Sequence, residues 1–373
     1  MKVLFMIDTR LSYSDAPPSR LIYIAKLLKK KGFDVELIGR EGEKITSLKT
    51  TTVTGAKNIA RIKLLFLAYR KTLAQKYTYI VTRGAHLAFF LLPLKIINKK
   101  VIVDFHNWNF REIKLYYEKN FYNKIKMLFY YVTERPATKH SDIIICYSEG
   151  LQTLLSEKER RKSIILENGL DLAEIQAAIK EAEKNKEKLS EKYDVPTRKP
   201  LAGFLGNWER QMSMEVMFEA CRKVGVDLVV IGTGSNIEKY KQKWKNVVFT
   251  GKLPKEEALR LISLCDVTIA PYKEAPYNQP APYSTRKVRD YLGLGKPIIM
   301  ADVKGREKFL VPYENAVFYR PDSPEDLAEK IRMVISDKKL QEKMRENNLK
   351  LAHQFDWQVL VEKSGLIEKI LEN

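Results

Sequence analysis

This chain is poor in cysteine and histidine, has no long apolar run, and carries far fewer acidic than basic side chains. Its three cysteines, Cys146, Cys221 and Cys265, lie far apart in apolar segments without CxxC spacing. That excludes a disulfide framework and a thiolate metal site, and predicts buried thiols in a reducing compartment. His86, His140 and His353 show no ligand spacing and read as surface or core residues. The most apolar stretch, Leu87–Ile97, is broken by Pro93 and Lys95 and falls short of the ~20 residues a membrane span needs. Met1-Lys2 leads straight into the apolar run Val3–Ile7, which is not the pattern of a secretory leader. A soluble or peripheral protein is expected. With 66 Lys and Arg against 46 Asp and Glu, the formal charge of +20 implies an anionic partner: nucleic acid, anionic lipid or a phosphorylated substrate.

At 373 residues the chain suits two α/β domains better than one core. Short β-branched runs alternate with longer amphipathic stretches, the pattern of parallel strands joined by crossover helices. Val3–Ile7, Val35–Ile38, Tyr79–Val81, Val101–Phe105 and Ile143–Cys146 read as a first sheet, with Arg20–Lys31 a helix closed by Gly32. The charged segment Asp171–Tyr193 is helical in composition and ends before Pro196 and Pro200. Leu201–Leu205, Leu228–Ile231, Val247–Phe249, Val267–Ala270 and Pro297–Met300 then restart the alternation, so the boundary falls between Glu167 and Lys199.

The second half carries the most informative residues. Gly203-Phe-Leu-Gly206 closes one strand and Gly232-Thr-Gly234 the next, and glycine there lets backbone N–H groups approach a phosphate or ribose. A loop rich in Pro and Tyr, Pro271–Tyr283, leads into Ser284-Thr285-Arg286-Lys287 and a short helix through Tyr291. Ser284 or Thr285 can cap that helix, and its first-turn N–H groups with Arg286 and Lys287 form an anion site. A diphosphate leaving group needs such charge as its bond to the sugar breaks.

The succession FLGNW, VVIGTGS, NVVFTGKLPKEEALRLISLCDVTIAP and STRKVRDYLGLGKPII resembles the C-terminal half of family 4 glycosyltransferases of the GT-B fold. SDIIICYSEGLQTLL followed by IILENGLD is similar to the end of that family's first domain, and the resemblance spans nearly the whole chain. It implies an α/β protein of two Rossmann-like domains, parallel sheets facing across a cleft, with the C-terminal helix crossing back. The acceptor domain would be residues 1–166 with 351–373, and the donor domain residues 167–350. Trp357 matches the packing Trp before the last helix.

The resemblance also assigns residues. Gly206, Asn207, Gly232, Gly234, Gly251, Lys252, Leu253, Ser284, Thr285 and Asp290 would bind the donor, with Asp290 near the ribose and Lys287 at the diphosphate. The family's first Glu is replaced by Pro282 and its second by Asp290, as in a subgroup reading K-x-x-E-Y-x-x-x-G-x-P. Asn207 stands where the family has Arg, so Arg210 takes the phosphate role. The glycine pair expected after the first strand is replaced by Ser12–Ser19. His106, in VDFHNW, matches the family's His at the end of the same strand and would contact the transferred sugar or orient the acceptor hydroxyl. Asp104 would assist His106 or end the strand. Arg10, Ser12, Asp104, Asn107 and Trp108 would bind the acceptor. The family mostly retains anomeric configuration, yet VDFHNW is also similar to the inverting β-mannosyltransferases that extend lipid-linked chitobiose. Inversion needs a general base, for which Glu112 or Asp104 would serve. No Asp-x-Asp pair is present, so neither a metal nor another cofactor is expected, only a UDP- or GDP-linked sugar as co-substrate.

Between Lys57 and Arg135 there are 16 Lys or Arg against 4 Asp or Glu, a local excess of 12. Ile59, Ile62, Phe66, Tyr69 and Leu73 fall near one helical face, and aromatics from Tyr116 to Tyr131 accompany the basic residues. Either these faces pack on the sheet, or the basic aromatic helices 57–76 and 112–132 meet an anionic membrane surface. The second case gives a cytoplasmic enzyme, peripheral to the inner face of the membrane, acting on a glycan or lipid-linked acceptor in N-glycan, polysaccharide or glycolipid assembly. Two other classes remain open: a catalytically inactive GT-B scaffold, suggested by the missing Glu and Arg, and a nucleic-acid binder using the basic surface. The second lacks any helix-turn-helix, zinc or RNA-recognition signature.

Overall fold

The computed structural model describes residues 1–13, 16–116, 120–196, 200–208, 212–273, 286–304 and 309–372. Arg210, Pro282, Ser284 and Thr285 therefore lie outside the described residues. The chain divides into two compact units, residues 1–167 with 360–373, and residues 168–359.

The first unit opens with β1 (Lys2–Arg10), α1 (Ala16–Lys30), β2 (Asp34–Arg40), β3 (Lys49–Val53) and α2 (Lys57–Gln75). It continues through β4 (Tyr79–Arg83), α3 (Ala85–Phe89), a 3-10 turn at Leu92–Ile97, and β5 (Lys100–Phe105). α4 (Asn109–Tyr116), α5 (Phe121–His140), β6 (Ile143–Cys146), α6 (Glu149–Gln152), α7 (Glu157–Arg161) and β7 (Ser163–Ile165) follow. Among the described residues the strands form one sheet of seven, all parallel, in the order β3-β2-β1-β4-β5-β6-β7. Strand alternation splits its side chains into two cores. Phe5, Tyr79 and Ile102 pack with α1, while Leu4, Ile80 and Val103 pack with α2 and α3.

The second unit holds α8 (Leu172–Lys184), α9 (Lys186–Tyr193), β8 (Leu201–Leu205), α10 (Met214–Val224), β9 (Asp227–Ile231) and α11 (Ile237–Lys243). Then come β10 (Val247–Gly251), α12 (Lys255–Ser263), β11 (Val267–Ala270), α13 (Arg286–Gly293), β12 (Ile298–Ala301), β13 (Ala316–Tyr319), α14 (Pro324–Ser336) and α15 (Lys338–Ala352). Its six strands among the described residues are again parallel, in the order β10-β9-β8-β11-β12-β13. α16 (Trp357–Lys363) leaves this unit, and α17 (Leu366–Glu372) joins the first, where Tyr79 Oη donates to the Ile370 carbonyl at 2.7 Å.

The return to the first unit begins at residue 360, not 351, because α15 and the turn after it stay with the second unit. Asn348 Nδ2 donates to the carbonyls of Lys296 and Asn315 there, and Trp357 packs against Gly169, where a Cβ would lie 2.6 Å from the indole. Three strands escaped the sequence reading. β3 is the Thr-rich edge strand KTTTV, β7 is a three-residue edge, and β13 is a four-residue edge, so none shows a long apolar run.

Candidate functional site

Both sheets have a topological switch point, where the chain leaves one side of the first strand for the other: β1/β4 in the first unit and β8/β11 in the second. Open parallel sheets bind ligands beyond the C-terminal ends of the strands at such points.

In the first unit, β5 delivers Asp104 and His106 to that edge. Asp104 is fully buried; its Oδ1 accepts from Arg20 Nε at 2.9 Å and its Oδ2 lies 2.7 Å from His106 Nε2. Arg20, on α1 and equally buried, donates its remaining nitrogens to the carbonyls of Leu166 and Glu167. Burial opposes the charge of Asp104, but Arg20 and His106 outweigh it and hold the carboxyl well below its usual range. Burial also lowers His106, with Asp104 pulling the other way, so the ring is neutral at pH 7. An ionised Asp104 requires the proton on Nε2. His106 Nδ1, without a partner among the described residues and not sealed from solvent, is then an open acceptor. The ring lies 5.5 Å from Tyr147.

The expected acceptor residues scatter around this dyad. Asn107 Nδ2 donates to Glu112 Oε2, which fixes both side chains beside His106. Arg10 is exposed at the end of β1. Three assignments need correction. Asp104 is sealed behind His106, and its Oδ2 meets the imidazole, not an open surface. Trp108 is also buried, packed edge-on against Phe105 with Arg135 over its ring. Ser12 is buried and donates to Glu43 Oε1 at 2.6 Å, so its hydroxyl anchors the loop after β1.

In the second unit the glycines have distinct tasks. Gly206 follows β8 at φ +124°, where a Cβ would lie 3.1 Å from Lys287 Cε. At Gly232 a Cβ would lie 2.2 Å from the Gly206 carbonyl oxygen, so these two turns touch backbone to backbone. Asn207 Oδ1 accepts from Thr233 N at 3.2 Å and clips the turns together, leaving its amide outward. Gly234 fits against the Trp208 ring, while Gly251, at φ +73° with open space around it, serves the turn alone. Lys252 is exposed beside it, and Leu253 packs on the core.

α13 brings Lys287 and Asp290 to the same edge. Lys287 Nζ stands 4.4 Å from the Phe204 ring centre and 5.4 Å from that of Tyr272, a cation over aromatic faces next to Gly206. Asp290 is buried; Oδ1 is sealed with no partner among the described residues, while Oδ2 is not sealed. Burial raises its carboxyl, against the pull of Arg286 and Lys255. Lys255 is itself buried and paired with Glu174. Among the described residues no group of three His, Cys, Asp or Glu side chains is placed to hold a metal.

Residues 185–351 match the family described as glycosyl transferases group 1. Over that stretch, a little under half of the chain, it is similar to the group 1 glycosyltransferases. It is 24% identical over 299 residues to an uncharacterized glycosyltransferase of Methanocaldococcus jannaschii, covering 77% of this chain and 72% of that protein. It is 22% identical over 244 residues to a second from the same organism, covering 64% of this chain and 62% of that one, so the match spans less than two thirds of that relative. Among solved structures, Anabaena HepE in complex with UDP superposes with a TM-score of 0.69 at 16% identity, over 100% of both chains. The fold of the chain is accordingly GT-B, with two Rossmann-like units.

Several polar residues near these edges had no sequence signal. Arg20 sits in an ordinary helix 84 positions before Asp104. Lys255 and Glu174 are 81 positions apart. His86, with both ring nitrogens sealed and unpartnered among the described residues, and Glu134, with a sealed and unpartnered Oε2, are buried polar groups under the same edge as His106.

Proposed function

We propose that this glycosyltransferase moves a hexose from a UDP- or GDP-linked sugar to a hydroxyl of a glycan or lipid-linked acceptor at an anionic membrane face. The observation that carries the donor half is the β8/β11 edge, where Lys287 stands over Phe204 beside the Gly206 turn and α13 presents Asp290. Lys287 would bind the diphosphate, and a ribose hydroxyl would satisfy the carboxyl of Asp290. HepE, solved with UDP and with UDP-glucose, shares the fold, which favours a uridine donor.

His106 is the group assigned to the acceptor hydroxyl. In transfer, that oxygen forms a bond to the anomeric carbon as the bond from this carbon to the phosphate oxygen breaks, and the nucleoside diphosphate leaves with the electron pair. The hydroxyl proton passes to the departing phosphate in a retaining reaction or to a base in an inverting one. The open Nδ1 of a neutral His106 suits hydrogen bonding to that hydroxyl in either case, and the buried Asp104 keeps the tautomer.

The membrane reading rests on exposed apolar groups. α2 buries Ala60, Leu64, Leu67, Ala68 and Thr72 against the sheet, yet Ile62 and Phe66 are 69% and 71% exposed. Phe121 and Tyr122 on α5 are 80% and 70% exposed, and Ile96 between the helices 86%. Tyr69 Oη donates to the Phe90 carbonyl, and His86 packs on Tyr130, so α2, α3 and α5 adjoin on one face of the sheet. Exposed Lys57, Lys63, Arg70 and Lys124 accompany them, the pairing of apolar and cationic groups that suits an anionic bilayer. Among the described residues no helix is long and apolar enough to cross a membrane.

Thermal-shift screening against UDP-, GDP- and ADP-sugars tests the donor, since a bound donor raises the melting temperature. Transfer or donor hydrolysis lost in Lys287→Ala supports catalysis at this edge, and stabilisation by no nucleotide sugar contradicts it. Flotation with anionic and neutral vesicles tests the membrane face, which is refuted if neither binds.

A further inference from the structure

Arg83 is the last residue of β4 and pairs with Asp104 across the β4/β5 ladder. Paired residues of a parallel sheet share a face, and alternation from Tyr79 and Val81 puts Arg83 on the α1 side, with Asp104. The two carboxylates nearest to it are already engaged. Asp104 is held by Arg20 and His106, the nitrogens of Arg20 reach Asp104 and two carbonyls, and Arg61 from α2 binds Asp8 Oδ2 at 2.7 Å. Arg83 makes no hydrogen bond or ion pair among the described residues, and none of its nitrogens is sealed from solvent. Burial lowers it from the usual guanidinium range while Asp104 and Asp8 pull the other way. Both carboxylates that act on Arg83 are thus taken by other groups, and Arg83 stands next to the strand that carries His106. A guanidinium drawn partly out of water without a partner is costly, and its fork matches the two oxygens of a carboxylate or phosphate.

We propose that Arg83 reads an anionic group of the acceptor, a carboxylate or phosphate bound in its guanidinium fork beside His106. This specifies the acceptor class and rests on the reading that the first unit takes the acceptor. A neutral glycan would leave Arg83 unmatched; a uronate-containing glycan or a phosphate-linked lipid would satisfy it.

The chain has four histidines, so ring resonances report on His106 with little overlap. The probes are methyl glucuronide, methyl glucoside and inorganic phosphate, titrated without donor into protein carrying Lys287→Ala to silence the second unit. The His106 resonance should shift and saturate with glucuronide, phosphate or both, and not with glucoside. Glucuronide alone identifies a uronate, phosphate alone a phosphorylated acceptor. Arg83→Met should weaken that binding roughly 10- to 100-fold, with Arg83→Lys recovering part of it. No shift with either anion, or an equal affinity in Arg83→Met, overturns the proposal. If Arg83→Met does not fold, Arg83→Gln and Arg83→Lys carry the same comparison. UDP-induced stabilisation of Arg83→Met in an otherwise native chain checks the donor reading separately, because that site lies in the other unit.

Discussion

Replacing Asp104 by Asn removes one charge from a buried pair and should weaken both the fold and the reaction. Arg20 Nε and Asp104 Oδ1 are 2.9 Å apart, with 1% and 0% of their side chains exposed. Two unit charges at that distance attract by about 6 kcal/mol at an effective dielectric of about 20, and by about 1.4 kcal/mol in water. Part of this offsets desolvation of the two ions, so the intact pair contributes little net stability, but a variant that leaves Arg20 alone loses about 3–5 kcal/mol. That is about a fifth or more of the stability of an ordinary domain. Two units need not unfold together, so hydrogen exchange of the β5 and α1 amides is the suitable assay, not a single melting curve. Asp104→Asn should lower protection in the first unit and leave β8–β13 unchanged. Arg20→Met with Asp104→Leu should lose less than Asp104→Asn alone, because no buried charge remains unpaired. In the folded variant kcat should fall about 10²- to 10⁴-fold, as the imidazole loses its tautomer partner. A loss below about 1 kcal/mol in Asp104→Asn, within the range of a surface pair, refutes the reasoning.

Two buried groups should give opposite pH slopes. Burial lowers His86 to about 4, below its unfolded value, so the unfolded chain binds more protons and stability falls as pH drops from about 6.5 toward 4. Burial raises Glu134 to about 7, so its contribution is full at low pH and is lost as pH rises through about 7. His86→Phe should remove the first slope and Glu134→Gln the second, each at most about 3 kcal/mol, measured by urea denaturation from pH 4 to 8. On the membrane face, Phe66→Ser with Phe121→Ser should weaken binding to anionic vesicles about tenfold or more, as each ring contributes about 1.5–3 kcal/mol when buried. Unchanged flotation would place the contact elsewhere.

Short apolar runs exposed most strands to a sequence reading because a sheet covered on both faces leaves few polar positions inside it. Ile143–Cys146, Leu201–Leu205 and Val267–Ala270 have the observed bounds. Thr-rich β3 failed the same test because an edge strand needs no apolar run. Periodicity showed that Ile59, Ile62, Phe66 and Leu73 share a side of one helix, but not whether anything covers it; the sheet takes the other side. The place of His106 at a strand end was legible. Its support was not, because the partner of Asp104 comes from α1. Trp108 was expected among the acceptor residues, yet the turn after β5 points it inward. Arg83 was passed over for a similar reason: a strand-end arginine becomes informative only when its neighbours are seen to be committed.

Calorimetric titration of the preferred nucleoside diphosphate into the native chain, Lys287→Ala and His106→Ala tests the donor assignment most directly. Binding to the native chain is expected, with a loss of roughly 10- to 100-fold in Lys287→Ala and little change in His106→Ala, whose residue lies in the first unit. Equal affinity in Lys287→Ala, or a loss confined to His106→Ala, would contradict a donor site at the β8/β11 edge.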